Sequence, residues 1–362
     1  MLLINKIVLV MLLPPFTNPG FDYIWNQDQE LQQIKAGIAD ANYGIPKPGD
    51  NQLLIGTWNI ANFDVQNRDD SFFPMIAEII KPFDIMAIQE VKANLEGFNK
   101  LLQNLGDEFS YVFTDIGGNW ERLCYLYKNN KVKQTPHIGE LDIPQGWRKR
   151  WYWMGFPAEE GEIDNDNDGY VERNFLGFDR NPFIVTWEFN ETKFTTYNCH
   201  IYYGDEKEDE LEKFRRRILE LFAIIKWVKG KVHDHPEKIF SSNIIILGDL
   251  NTPSMKEDDE VFQELDLDHF VPLDYTDHLI PESNIKESAT YDQMVVIKPF
   301  AEKIQATDFK IFAWDRFLFK ELWGKLLNEH DNNCSKAASE FQKFAKWAIS
   351  DHRPLWALYE FT

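Results

Sequence analysis

Residues 244–253 read IIILGDLNTP, and the reading of this stretch decides the fold. Four apolar residues, Ile244 to Leu247, form a run that fits a strand buried on both faces. The run then breaks at Gly248 into Asp249, Leu250, Asn251 and a helix-stopping Thr-Pro. Asp and Asn are favoured wherever strands turn into loops, because their short side chains hydrogen-bond the local backbone. Geometry offers a second reason. At the rim of a sheet, Asp249 and Asn251 are two residues apart and point to the same side. A carboxylate and a carboxamide fixed side by side suit a hard metal ion or a polarised water.

Working outward, β-type segments are expected at 53–59, 83–89, 109–114, 121–128, 182–189, 193–202, 243–248, 291–297 and 354–361. Helical patterns lie between them at 71–81, 94–105, 206–230 and 336–349, with another at 26–40. In the third of these, Leu211, Phe214, Ile218, Leu221, Phe222 and Ile225 form one apolar stripe. Its arginine run, Arg215 to Arg217, reads as a solvated helix face. Strands with helices interspersed predict two sheets covered by helices, an α/β or α+β arrangement.

The strand ends share a chemistry. LLIGTWNIANF carries Asn59, FDIMAIQEVKAN carries Gln89 and Glu90, and FTTYNCHIYYG carries Asn198 and His200. SATYDQMVVI begins a strand on Asp292, and AISDHRPLWALYEF sets Asp351 and His352 before the last one. Each alone reads as a turn or cap residue. Together they are all polar, all competent toward metals or protons, and all at the same kind of position, where sites are built.

Taken in order, Trp-Asn, Gln-Glu, Asn-x-His, Gly-Asp-x-Asn, Tyr-Asp and Ser-Asp-His resemble the endonuclease/exonuclease/phosphatase superfamily, in the manner of deoxyribonuclease I. WERLCYLYK (120–128) is similar to that family's Glu/Arg strand, and FDRNPFIVTWEF to its Arg-x-Pro-Phe strand. The resemblance runs from about 53 to 362. It implies a four-layered sandwich of two mostly antiparallel β-sheets with helices outside and the site at one rim. It also implies a phosphodiester hydrolase dependent on Mg2+ or Mn2+, since a divalent ion neutralises an anionic phosphodiester as a Lewis acid. Glu90 would be the main metal ligand, with Asn59, Asp351 and Asp249 close by or sharing it, and Asn59 near the substrate. Asp249 with Asn251 would orient or deprotonate the attacking water. His352, held by Asp292, would contact the phosphate, and His200 would be a second histidine braced by Glu121. Arg180 would bind a neighbouring phosphate or serve as a structural ion-pair partner. The sequence departs from the pattern after Asp292, where Gln293 stands in place of a basic residue, and around WDRFLFKELWGKLL, which reads as an inserted helical segment.

The rest of the chain bounds this reading. With 362 residues, 44% of them hydrophobic, a substantial core can be buried, and 28 Phe, 13 Tyr and 12 Trp favour β-rich packing. Residues 1–50 read as an N-terminal extension and 51–362 as the enzymatic domain. The apolar start, MLLINKIVLVMLLPPF, leaves secretion and a cytoplasmic place both open, being of signal-peptide length without a clear cleavage site. A formal charge of −21 speaks against a passive nucleic-acid coat protein, though not against an enzyme that meets phosphates through a bound cation. Three cysteines, at 124, 199 and 334, make no disulfide framework, and Cys124 and Cys199 read as buried thiols. EIDNDNDGYVERNF places Asp164, Asp166, Asp168 and Gly169 like a partial Ca2+ loop, but Phe175 stands where a bidentate Glu should, so a plain acidic surface loop is the other reading. The expected activity is endonucleolytic, on DNA rather than RNA, by a monomer. The alternatives are a phosphatase or sphingomyelinase-type phospholipase acting on a phosphorylated lipid or inositol, and a binding protein that has lost catalysis.

Overall fold

The computed structural model describes residues 23–63, 65–151, 153–157, 169–203, 211–234, 239–252, 270–274, 278–297 and 304–361. Their strands are β1 (Gln52–Phe63), β2 (Ile85–Lys92), β3 (Phe109–Phe113), β4 (Glu121–Lys128), β5 (Lys133–Glu140), β6 (Trp153–Pro157) and β7 (Tyr170–Asn174). The second half supplies β8 (Phe183–Phe189), β9 (Thr192–His200), β10 (Ile244–Asp249), β11 (Phe270–Pro272), β12 (Asp292–Ile297), β13 (Ile304–Ile311) and β14 (Leu355–Phe361). The helices are α1 (Gln27–Ile38), α2 (Phe73–Ile80), α3 (Glu96–Leu105), α4 (Gln145–Trp151), α5 (Leu211–Lys229), α6 (Lys320–Glu329) and α7 (Cys334–Ala348).

Two six-stranded sheets form, in the orders β13-β14-β1-β2-β4-β3 and β11-β12-β10-β9-β8-β5, and β6 and β7 make a separate hairpin. Each large sheet has one parallel pair at its centre, β1 with β2 and β9 with β10, and antiparallel neighbours elsewhere. These are the two mostly antiparallel sheets expected from the sequence.

The apolar run 244–247 is continuous because β10 is covered on both faces. Ile245 and Leu247 point inward to a core shared with Leu53, Ile55, Ile85, Tyr125 and Trp187. Ile244 and Ile246 point outward to Leu221, Ile224, Ile225 and Val228 of α5. The other sheet repeats the arrangement, with Leu54, Trp58, Met86 and Ile88 packed on α2, α3 and α7. Helix, sheet, sheet, helix is the resulting order. Gly248 is obligatory in β10, because its φ is +136° and a Cβ there would lie 2.0 Å from the Cys199 carbonyl oxygen.

The described part of the 1–50 segment packs on the outer layer. Ile34 of α1 is buried in that core, Trp25 stacks on Phe72, and Glu30 accepts a hydrogen bond of 2.8 Å from the Phe319 amide. Cys124 and Cys199 are buried, and Cys334 is exposed.

Candidate active site

Strand direction brings the polar strand ends together. The parallel strands β1, β2, β9 and β10 all finish at one rim, where antiparallel β4 and β12 start. Asn59, Glu90, His200 and Asp249 therefore come from late positions in their strands, whereas Glu121 and Asp292 come from first positions. The register makes neighbours of Asp249 and His200, and of Asp249 and Asp292. Asp351 and His352 arrive from the turn before β14. Bulges at the ends of β1 and β2 turn side chains into the opening: the register shifts between Asn59 and Phe63 and between Ile88 and Val91. Glu90 sits within the second bulge at φ +64°, a left-handed backbone that a glutamate adopts only when its surroundings compel it.

Asn59, Glu90, Glu121, His200, Asp249, Asp351 and His352 line a cleft of about 590 Å³, with Asp292 buried behind His352. Asn59 is its hub: Nδ2 donates to Glu90 Oε1 at 3.0 Å and to Asp249 Oδ2 at 2.9 Å. The Asn62 amide donates to Glu90 Oε2 at 2.6 Å, and the Asn251 amide donates to Asp249 Oδ1 at 3.0 Å. Two histidines flank Asp249, each with Nε2 at 3.8 Å from Asp249 Oδ2. Each is backed by a buried carboxylate on its other nitrogen. Asp292 Oδ2 is 2.8 Å from His352 Nδ1, a hydrogen bond, and Glu121 Oε2 is 3.1 Å from His200 Nδ1, an ion-pair distance without hydrogen-bond alignment.

The fields follow from this packing. Burial would lower the proton affinity of His352, but Asp292, Asp249 and Asp351 outweigh it and push the pKa up to about 10. Burial would raise Glu121, yet His200, Arg180 and Lys92 hold it down at about 2. Asp351 is also lowered, because His352 and Lys346 overcome its burial.

Several residues singled out in the sequence have their side chains engaged by protein partners. Gln89 Nε2 donates to Asn198 Oδ1 at 2.7 Å, and Asn198 Nδ2 donates to the carbonyls of Ile88 and Cys124. This buried amide pair pins the two sheets together beneath the cleft. Arg180 is 5% exposed and reaches Glu121 at 3.3 Å, Asp179 at 3.4 Å, and the His200 and Ile201 carbonyls at 2.9 and 3.0 Å. It lines the cleft with its donors turned to protein acceptors. The Asn251 side chain donates to the Ile201 carbonyl at 2.7 Å, and Gln293 turns to the Thr290 carbonyl. Asp164, Asp166 and Asp168 lie outside the described residues. Gly169, which follows them, has φ +91°, the tight-turn conformation that glycine permits.

Other contributors carry little sequence signal. Trp58 and Trp314 both donate their indole N–H to the His352 carbonyl, at 2.9 and 3.0 Å. Ser350 Oγ donates to the Asn59 carbonyl at 2.7 Å and accepts from the His352 amide at 3.0 Å, so the serine of Ser-Asp-His ties the last turn to β1. Arg353, 1% exposed, anchors the same turn through a bidentate pair with Asp315 at 2.8 and 2.7 Å. Lys286, Tyr203, Tyr291 and Lys346 also face the cleft.

A cation has suitable donors here. Asn59 Oδ1 is buried without a hydrogen-bond partner, on the same side chain whose nitrogen touches Glu90. Two groups bring their donor atoms within 4.8 Å of one another, Glu90 with Glu121 and His200, and Asp249 with Asp292 and His352. In the first group Glu121 already faces Lys92 at 2.7 Å as well as Arg180, which leaves Glu90 as the carboxylate able to turn to an ion.

Two carboxylate-backed histidines around one aspartate thus lie beside a carboxylate–amide pair that could hold a hard cation. Residues 56–352 match the model of the endonuclease/exonuclease/phosphatase family, and the chain belongs to that family. A protein named deoxyribonuclease from Thioalkalivibrio sp. (strain K90mix) is 26% identical over 218 residues, 58% of this chain and 49% of that one. The match thus spans about half the length of that relative. Among solved structures, D. rerio TDP2 complexed with a single-strand DNA product covers 86% of this chain and 100% of that one, at 11% identity and TM-score 0.51. An endonuclease/exonuclease/phosphatase from Bacteroides vulgatus covers 86% and 99%, at 14% identity and TM-score 0.50. The human Nocturnin catalytic domain with bound sulfate covers 87% and 96%, at 12% identity and TM-score 0.50. At such identities the likeness is one of fold.

Proposed function

We propose that the chain is a Mg2+- or Mn2+-dependent endonuclease that cleaves phosphodiester bonds in DNA. The observation that carries this reading is the placement of both imidazole Nε2 atoms at 3.8 Å from Asp249 Oδ2. The two imidazoles and the carboxylate thus open side by side onto one cleft, where a phosphate can meet the rings while a water meets the aspartate. The relative named deoxyribonuclease supports DNA over other phosphodiesters.

Glu90, Asn59 through Oδ1, and Asp351 would hold the divalent ion, which when bound supplies Lewis-acid neutralisation of the phosphate. The chain's own residues do the rest. Asp249, fixed by Asn59 Nδ2 and the Asn251 amide, orients a water and takes its proton. His352, kept protonated by Asp292, donates from Nε2 to a phosphate oxygen as charge develops there. His200, with Glu121 behind it, hands a proton to the departing oxygen, the logic of a carboxylate-oriented imidazole.

The test is a substrate panel at low salt: supercoiled plasmid, a duplex with one abasic site, sphingomyelin and an inositol polyphosphate. Nicking of undamaged plasmid is expected, abolished by chelation, restored by Mg2+ or Mn2+, and weakening as salt rises because phosphate contacts are electrostatic. An intact plasmid alongside a hydrolysed lipid or inositol substrate would replace the nuclease reading with the phospholipase or phosphatase one.

A further inference from the structure

The last turn of α7 aims a lysine at the acidic side of the cleft. Lys346 Nζ lies 2.5 Å from Asp351 Oδ2, and its charge also reaches Glu90. Among the described residues, no other lysine or arginine is paired with either carboxylate. A cation at a helix C-terminus beside a nearby acid is commonplace and worth little when exposed. Here the Lys346 side chain is 37% exposed, but the helix end that carries it is fixed. Phe344, Ala345 and Trp347 on either side of Lys346 are buried, and the Trp347 indole donates to the Gln66 carbonyl at 3.0 Å. The turn beyond is fixed by Ser350 on Asn59 and by Arg68 on the Ile349 carbonyl at 3.0 Å. The helix therefore cannot roll to carry the ammonium away, and the lysine lines the same cleft as Glu90 and Asp351.

We propose that Lys346 is a resident cation of the metal site, pairing with Asp351 and competing with the divalent ion for it. This rests on the metal-dependent reading above. Its consequence is that the chain binds its ion more weakly than its set of ligands would allow, and that Glu90 with Asn59 carries most of the hold. Lys346 is a positioning residue on this account, acting through Asp351.

The experiment is a calorimetric titration of the full chain with Mg2+ and with Mn2+, paralleled by the metal-induced rise in melting temperature. Lys346→Met should tighten divalent binding ~10-fold or more, because the positive charge that occupies Asp351 is removed. Lys346→Arg, which keeps the charge, should stay within ~3-fold of the parent. Without metal, Lys346→Met should melt lower than the parent, yet rise further on saturation. In an Asp351→Asn background, Lys346→Met should lose most of its effect, as coupled residues do. An unmoved affinity in Lys346→Met, with only the lower metal-free melting temperature, would leave Lys346 a structural helix-end cation and overturn the inference. Should Lys346→Met fold poorly, Lys346→Gln gives the same readings. If neither the parent nor the variant binds either ion, the metal-dependent reading fails and this inference with it.

Discussion

Glu121 offers the sharpest test of how this site is held. Its carboxylate is 4% exposed and faces three cationic or cation-ready groups: Lys92 at 2.7 Å, His200 at 3.1 Å and Arg180 at 3.3 Å. Burial alone would favour the neutral acid, yet the partners pull its pKa from 4.5 to about 2. At about 1.4 kcal/mol per unit, that depression corresponds to about 3 kcal/mol of stability held by the ionised form. A second route gives a similar size, since removing one member of a buried charged cluster costs about 3–5 kcal/mol. Glu121→Gln keeps the shape and removes the charge, so it should lower the unfolding free energy at pH 7 by about 3 kcal/mol in urea denaturation. The pH dependence carries the sign. A carboxylate with a depressed folded pKa gives stability that is present above 4.5 and lost as pH falls through about 2. The gap between parent and variant should therefore narrow steadily as pH falls from 4.5. In kinetics, Glu121→Ala and His200→Ala should be strongly non-additive in kcat, because the pair works as a unit. A Glu121→Gln protein within about 1 kcal/mol of the parent at pH 7 would refute the electrostatic account, as would a gap that does not shrink in acid. Additive kcat losses would separate the two residues.

Three more outcomes follow from other parts of the molecule. Glu90→Ala should cost at least ~100-fold in plasmid nicking, more than loss of a residue that merely orients a ligand, and full activity in that variant would remove Glu90 from the metal site. Gly248→Ala should destabilise by at least about 3 kcal/mol, because its Cβ meets the Cys199 carbonyl at a φ of +136°; an unchanged denaturation midpoint would mean that β9 and β10 can part at no cost. Millimolar Ca2+ should raise the melting temperature if Asp164, Asp166 and Asp168 bind it, and a flat titration would return the segment to a plain acidic loop.

What could be read from the sequence depended on burial. The central strands β1, β2 and β10 announced themselves because both faces are covered, so each holds an unbroken apolar run, as Ile244 to Leu247 do. Edge strands lack that pressure. β5, KQTPHIGE, lies at the end of its sheet, is mostly exposed and holds a proline that an interior strand would reject, so no apolar pattern betrays it. β13, IQATDFKI, is an edge strand with only its two terminal residues buried, and it is silent in the sequence for the same reason. The same physics divides the site. Asn59, Glu90, His200, Asp249 and Asp292 were visible because a polar residue at the end of a buried strand interrupts a strong signal. Lys346 and Trp314 were not, since a lysine on an amphipathic helix and a tryptophan in an aromatic-rich segment interrupt nothing. Their roles arise from tertiary placement: Trp314 grips the His352 carbonyl across a long insertion, and Lys346 meets Asp351 only because the turn between them folds back. Gln89 and Asn198 show the converse. They carry the same strand-end signature as the residues in the cleft, but each side chain finds its partner across the gap between the sheets. A strand-end signature thus locates the rim of a sheet sandwich, and only the direction of each side chain decides between chemistry and the bolt beneath it.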